Sequence, residues 1–296
     1  MKAGPVRVFA SVGRLHIVAI AALGTFTFGW LFTGRHPWLL AGVCAFDWFI
    51  VNLLNRVVDL PEDRDNRIVG VDFVADHRRA LVVFGFATLF ASLAATAVLF
   101  PALTLLRGAY HALGLAYNWP LLPGRRRIKQ LYFWKNTASA VGFLLTVFGY
   151  PLATASFGLA SGPAGVSLGT VAWSAAFFFP FELSYEVLYD LRDAPGDRAA
   201  GVRTYPVVHG EARAVRIVEG LLAASMAVLV LGWAVGALPW RIFIMICAPA
   251  LQWALGKRFV RRGITARDCI GLTWLGAGLL GCYHLWILAG LPGTGL

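Results

Sequence analysis

The chain has 296 residues, 58% hydrophobic and only 14% charged, with a mean hydropathy of +0.69. A soluble globule of this length could not hide so much apolar surface, so the composition excludes a water-soluble domain and points to a lipid-facing bundle. The formal net charge of +11 would suit nucleic acid, but its distribution reads as orientation in a membrane, and no nucleic-acid partner is expected.

A membrane span needs about 20 mainly apolar residues. In chain order the candidates are 15–33, 38–54, 80–100, 102–117, 132–152, 166–188, 214–234, 240–255 and 270–288. The first follows Lys2, Arg7 and Arg14 but is of full membrane length, with no small-residue cleavage site, so it reads as a retained helix and not a signal peptide. Pro101 separates the third and fourth and suits a tight hairpin. Neither a polar linker nor a low-complexity stretch interrupts the chain, so residues 1–296 read as a single domain. The expected fold is an all-α, polytopic membrane bundle of nine transmembrane helices.

With the N-terminus inside, all of the 26 Lys and Arg fall in cytoplasmic segments except Arg35, Arg107 and Arg241. The positive-inside rule favours that arrangement, with the C-terminus outside. The setting expected is a bacterial inner membrane. Every Asp and Glu lies on the same side or in a helix running into it. Acids contribute little to topology, so this asymmetry points to a use for carboxylates at the cytoplasmic face. The four cysteines (Cys44, Cys247, Cys269 and Cys282) make no CxxC and read as small packed side chains.

Two acid-rich constellations stand out. Asn55, Asp59 and Asp63 are spaced by four at the end of the second helix, so a helix would stack them on one face, although Pro61 threatens to put Asp63 on a turn. Glu182, Glu186 and Asp190 are again spaced by four at the end of the sixth, with Asp193 and Asp197 just beyond. Either set alone could be a solvated helix end. However, Glu182 sits well inside an apolar run, where an ionisable group is costly and is a functional candidate by default. Facing one another, the two sets would be electrostatically untenable without cations, and Mg²⁺ bridging a diphosphate would satisfy them.

These motifs resemble the UbiA-type superfamily of membrane-embedded prenyltransferases. The Asn-xxx-Asp-xxx-Asp pattern is met by Asn55, Asp59 and Asp63. The second is met by Asp190, Asp193, Asp197 and Gly201, followed by Arg203-Thr204-Tyr205-Pro206. The stretch from Leu113 through Tyr117, Asn118 and Pro120 to Arg127, Lys129, Lys135 and Asn136 resembles the family's tyrosine-bearing helix end, basic loop and Lys-Asn entry to the fifth helix. The resemblance implies prenyl transfer from an isoprenoid diphosphate to an aromatic or other lipid precursor. Asn55, Asp59, Asp63, Asp190, Asp193 and Asp197 would be catalytic, and Asp59, Asp63, Asp193 and Asp197 would hold Mg²⁺. Lys129, Tyr117, Glu186 and Arg192 would bind substrate. The Arg-Thr and Arg-Pro pairs that many members carry after the first motif are absent here, where Arg64 to Gly70 and Asp76 to Arg79 stand instead. That leaves open the acceptor class, an intramolecular terpene cyclase of the same superfamily, and a membrane carrier. The basic run Arg125-Arg126-Arg127 reads equally as a topology signal. Which of Trp48, Phe133, Phe177, Phe178 and Tyr185 line a prenyl tunnel, the prenyl length and the oligomeric state are not legible.

Overall fold

The computed structural model describes residues 4–65, 68–154, 166–199 and 201–290. Lys2, Asn66, Arg67 and Leu296 lie outside the described residues. The helices, in chain order, are α1 (Pro5–Val12), α2 (Leu15–Thr33), α3 (Trp38–Val58), α4 (Leu60–Asp65), α5 (Val71–Asp76), α6 (Arg78–Leu99) and α7 (Pro101–Asn118). Then come α8 (Tyr132–Phe143), α9 (Tyr150–Thr154), α10 (Leu168–Ala199), α11 (Tyr205–His209), α12 (Glu211–Ala234), α13 (Trp240–Phe243), α14 (Cys247–Arg262) and α15 (Ala266–Leu288). A π-helical stretch, Leu144–Gly149, joins α8 to α9. No strand occurs among the described residues beyond an isolated bridge between Leu122 and Arg126.

Every stretch expected to span is helical, and seven of the described helical segments are long and apolar enough to cross a membrane. Pro101–Asn118 and Leu168–Ala199 fall outside those seven, so nine crossings is not the number that length and composition give. The first of these carries Arg107 and His111, and the second ends in acids. The protein is an integral membrane protein of polytopic helical class.

The core forms where α2 lies between α3 and α15, and where α10 packs on α8 and α12. Phe28, Leu31, Phe32, Phe148 and Phe177 meet at its centre. Pro101 opens α7 directly after Phe100 closes α6, as the hairpin reading expects. Arg107 is not a loop charge. It is fully buried, and its guanidinium grips Asp47 at 2.9 and 2.5 Å; His111 and the Tyr150 hydroxyl also reach Asp47, at 2.9 and 2.7 Å. Cys44 and Cys269 are buried as expected, whereas Cys247 and Cys282 are exposed to the cavity described next.

Candidate active site

Pro61 has no N–H to donate to Val57, and α3 stops with Asp59 as its capping residue. Proline is tolerated in a first turn, so α4 begins at once, and the Asp63 N–H still reaches the Asp59 carbonyl at 2.8 Å. The break sends the two carboxylates to different partners. Asp59 accepts from Asn55 Nδ2 at 3.0 Å, Lys129 Nζ at 2.5 Å and Arg127 at 3.2 Å. Asp63 accepts from Arg56 at 2.8 Å, and the same guanidinium donates to the Ser11 carbonyl at 3.3 Å. Asp63 therefore sits on its own short helix, off the Asn55–Asp59 contact.

The basic loop is shaped to deliver Lys129. Gly124 and Arg125 take left-handed conformations, Leu122 and Arg126 pair, and the Arg127 N–H donates to Gln130 Oε1 at 2.9 Å. A single 3₁₀ turn, Ile128–Gln130, then buries Lys129 against Asp59 and, at 2.7 Å, Glu62. Burial works against the charged form of Glu62, but Lys129 and Arg127 outweigh it and hold its carboxyl below the usual range. At Asp63 burial wins over Arg56 and pushes the carboxyl up.

The second motif lies on one continuous helix, since α10 runs past the apolar stretch to Ala199 with Pro180 and Pro195 inside it. The start of α8 meets it. Lys135 Nζ lies 2.6 Å from Asp190 and 3.5 Å from Asp197, Asn136 Nδ2 donates to Asp190 at 2.8 Å, and Ser139 donates to Glu186 at 2.7 Å. Asp193 pairs with its neighbour Arg192, whose guanidinium also lies 4.7 Å over the Tyr189 ring.

All ten residues singled out in the sequence line one cavity of about 1290 Å³. Its mouth carries the two acid sets and its inner end is aromatic, with Phe28, Phe177 and Phe178 on the wall. Of the candidate tunnel aromatics, Phe177, Phe178 and Tyr185 line it, whereas Trp48 and Phe133 do not. Glu182, buried one helical turn deeper than Glu186, lines it too. Sequence reading left Arg56, Glu62, Asn136 and Ser139 out of the site. Arg56, Asn136 and Ser139 each donate to a carboxylate on another helix, and Glu62 accepts from Lys129 and Arg127 of the basic loop, relations that spacing within one helix does not reveal.

The oxygen donors at the mouth suit a hard cation such as Mg²⁺. Asn55 Oδ1 is buried beside Asp59 with no hydrogen-bond partner among the described residues, which leaves an acceptor available for one. Among the described residues no three carboxylate, histidine or cysteine side chains are drawn round a single point. The acids are parted into cation-held pairs instead.

Comparison with known proteins extends these observations. Digeranylgeranylglyceryl phosphate synthase of Halobacterium salinarum is 38% identical over 89 residues, 26% of this chain and 32% of that protein. The synthase of the same name from Methanopyrus kandleri is 34% identical over 121 residues, 36% of this chain and 44% of that protein. The matches thus span less than half of these relatives. In fold, the chain is similar to a UbiA homolog from Archaeoglobus fulgidus solved with GPP and Mg²⁺, with a TM-score of 0.68 at 17% identity over 94% of this chain and 98% of that one. It is likewise similar to the apo UbiA homolog from Aeropyrum pernix, with a TM-score of 0.64 at 20% identity over 92% and 98%. The sequence pattern of the UbiA prenyltransferase family matches residues 8–272, which takes in both acid motifs and the basic loop, and the chain belongs to that family.

Proposed function

We propose that this protein transfers a prenyl group from an isoprenoid diphosphate to an acceptor lipid precursor, from a site at the cytoplasmic face of a plasma membrane. The observation that carries this reading is the single cavity with two carboxylate sets and their cations at its mouth and aromatic side chains within. The membrane side is inferred from the charge bias of the loops. The relatives named above are archaeal, so a bacterial membrane is not specified further.

Asp59, Asp63, Asp193 and Asp197 would hold Mg²⁺, with Asn55 and Asp190 completing the donor set. When bound, the ion stabilises the charge that develops on the diphosphate as it leaves. The chain does the rest. Lys129, Arg127 and Lys135 put positive charge beside the same carboxylates and are placed to meet phosphate oxygens. Phe28, Phe177 and Phe178 offer an apolar bed for the prenyl chain and π faces toward allylic cationic charge. Packing of the surrounding helices excludes water from the reacting carbon.

Purified protein supplied with prenyl diphosphates of increasing length, with and without a lipid extract as acceptor source, tests this by mass spectrometry. The expected product is the acceptor with one hydrogen replaced by the prenyl group, diphosphate and a proton being released, and it forms only with a divalent cation. A prenyl hydrocarbon formed without acceptor would replace transfer with cyclisation, and turnover in excess chelator would overturn the metal assignment.

A further inference from the structure

One buried acid has no role in the site described so far. Glu182 is nine-tenths buried and lines the cavity, yet among the described residues neither a hydrogen bond nor an ion pair reaches its carboxyl. The carboxylates nearer the mouth are engaged. Asp59, Asp63, Asp190, Asp193 and Asp197 each rest against a lysine or arginine, and Glu186 accepts from Ser139. The charge that acts on Glu182 is that of Glu186, whereas Lys135 and Arg14 act on Glu186.

Phe178, Glu182, Glu186 and Asp190 follow one another in steps of four on α10, and all four line the cavity. They form a ladder on one helix face, about 6 Å per rung, from the aromatic bed to the mouth. Glu182 stands about 12 Å inward of Asp190, past the carboxylates that would hold metal and next to the first ring of the bed. A diphosphate held at the mouth with its prenyl chain on that bed carries its allylic carbon across the stretch that Glu182 overlooks. Tyr185, Tyr189 and Tyr283 line the cavity too, but their hydroxyls are engaged elsewhere. They meet the Leu272 carbonyl at 3.5 Å, Thr273 at 2.9 Å and the Arg241 carbonyl at 2.8 Å.

We infer that Glu182 is a catalytic residue whose carboxylate receives the proton that the acceptor gives up. The assignment rests on the prenyl-transfer reading above. In that reaction the allylic C–O bond breaks, and its electron pair leaves with the diphosphate. The nucleophilic atom of the acceptor bonds to the freed carbon while its bond to hydrogen breaks. The electrons of that bond stay with the acceptor, and the proton passes to Glu182, which returns it to water after the product leaves. A carboxylate with no cation or hydrogen-bond donor beside it is a stronger base than one that has them. The engaged acids at the mouth are therefore the poorer recipients. A negative charge at this depth also faces the positive charge that develops on the allylic carbon.

The test follows the fate of chain-labelled geranyl diphosphate in Mg²⁺, with a lipid extract as acceptor source. Three quantities are read: donor binding, prenylated lipid, and prenyl alcohol formed when water captures the cation. Glu182→Gln keeps the shape of the side chain and removes the base. It should lower lipid prenylation about a hundredfold or more, the usual scale of a lost acid–base group. Donor binding should stay within about twofold of the parent, and the ratio of prenyl alcohol to prenylated lipid should rise, since cleavage of the C–O bond does not need Glu182. Glu182→Asp retains a carboxylate one methylene back and should recover about tenfold of the loss. Transfer undiminished in Glu182→Gln overturns the assignment and leaves the functional reading standing. A parallel fall in donor binding makes Glu182 part of the donor site instead, and an Asp variant no better than Gln assigns the loss to shape. A parent that binds the donor in Mg²⁺ but prenylates no lipid fails the functional reading, and the assignment falls with it.

Discussion

The Lys129 ammonium lies 2.5 Å from the Asp59 carboxylate, 70 positions earlier in the chain, and 2.7 Å from Glu62 one turn further on. The basic loop is thereby locked onto the first acid motif, just as Lys135 locks the start of α8 onto the second.

The two motifs are expected to work as a unit. Asp59→Ala and Asp193→Ala should each nearly abolish turnover, and the double variant should be little worse than either, since residues acting together are strongly non-additive. Asp59→Asn and Asp193→Asn test charge at nearly constant shape. Asp65→Ala, with its carboxylate outside the paired sets, should lose much less. Near-parental rates in well-expressed Asp59 and Asp193 variants would end the two-motif mechanism.

The Asp47–Arg107 pair should matter for stability and not for ligand binding, because neither residue lines the cavity. Arg107→Ala leaves a fully buried carboxylate with only His111 and Tyr150 beside it. Breaking such a pair costs about 3–5 kcal/mol. Thermal unfolding in detergent should show the loss, and the Asp47→Asn, Arg107→Gln double variant should be less destabilised than the sum of its singles. Additive losses would show that the pair is not coupled.

Loop docking should survive moderate acid. Glu62 is held below its ordinary value of 4.5, so in the metal-free protein its contribution is complete above that value and is lost only as pH falls through the depressed one. Amide exchange across residues 122–130 should stay slow down to about pH 5. Glu62→Gln should speed it at neutral pH. Release of the parent loop near pH 6 would show that another group controls docking.

Topology is open to direct measurement. A reporter inserted near Arg126 should behave as cytoplasmic, and one fused after Leu296 as external. A cytoplasmic C-terminus would require an even number of crossings and a different course for Pro101–Asn118 or Leu168–Ala199.

Much of the site was legible because most of its acids are spaced along a helix. The step of four from Asn55 to Asp59 and the repeat from Glu182 to Asp190 mark a helix face before any contact is known. What remained hidden is pairing between helices. Nothing local says that Ser139 reaches Glu186, or that Arg56 takes Asp63 away from Asp59. Pro61 is the instructive residue. Its missing N–H signals a break, and the break places Asp63 on a new helix whose first turn accepts the proline. Arg107 misled for a related reason. Near the start of an apolar stretch it looks like a loop charge, and only Asp47, opposite it on α3, reveals a buried ion pair.

Asp59, Asp63, Asp190 and Asp193 each rest against a cation of the protein itself, so much of the negative charge at the mouth is balanced within the chain. If the proposed function holds, Lys129, Arg127 and Lys135 would exchange carboxylate contacts for phosphate contacts, which would free the carboxylates to hold Mg²⁺. Diphosphate and cation together would then leave fewer charges unpartnered than either alone.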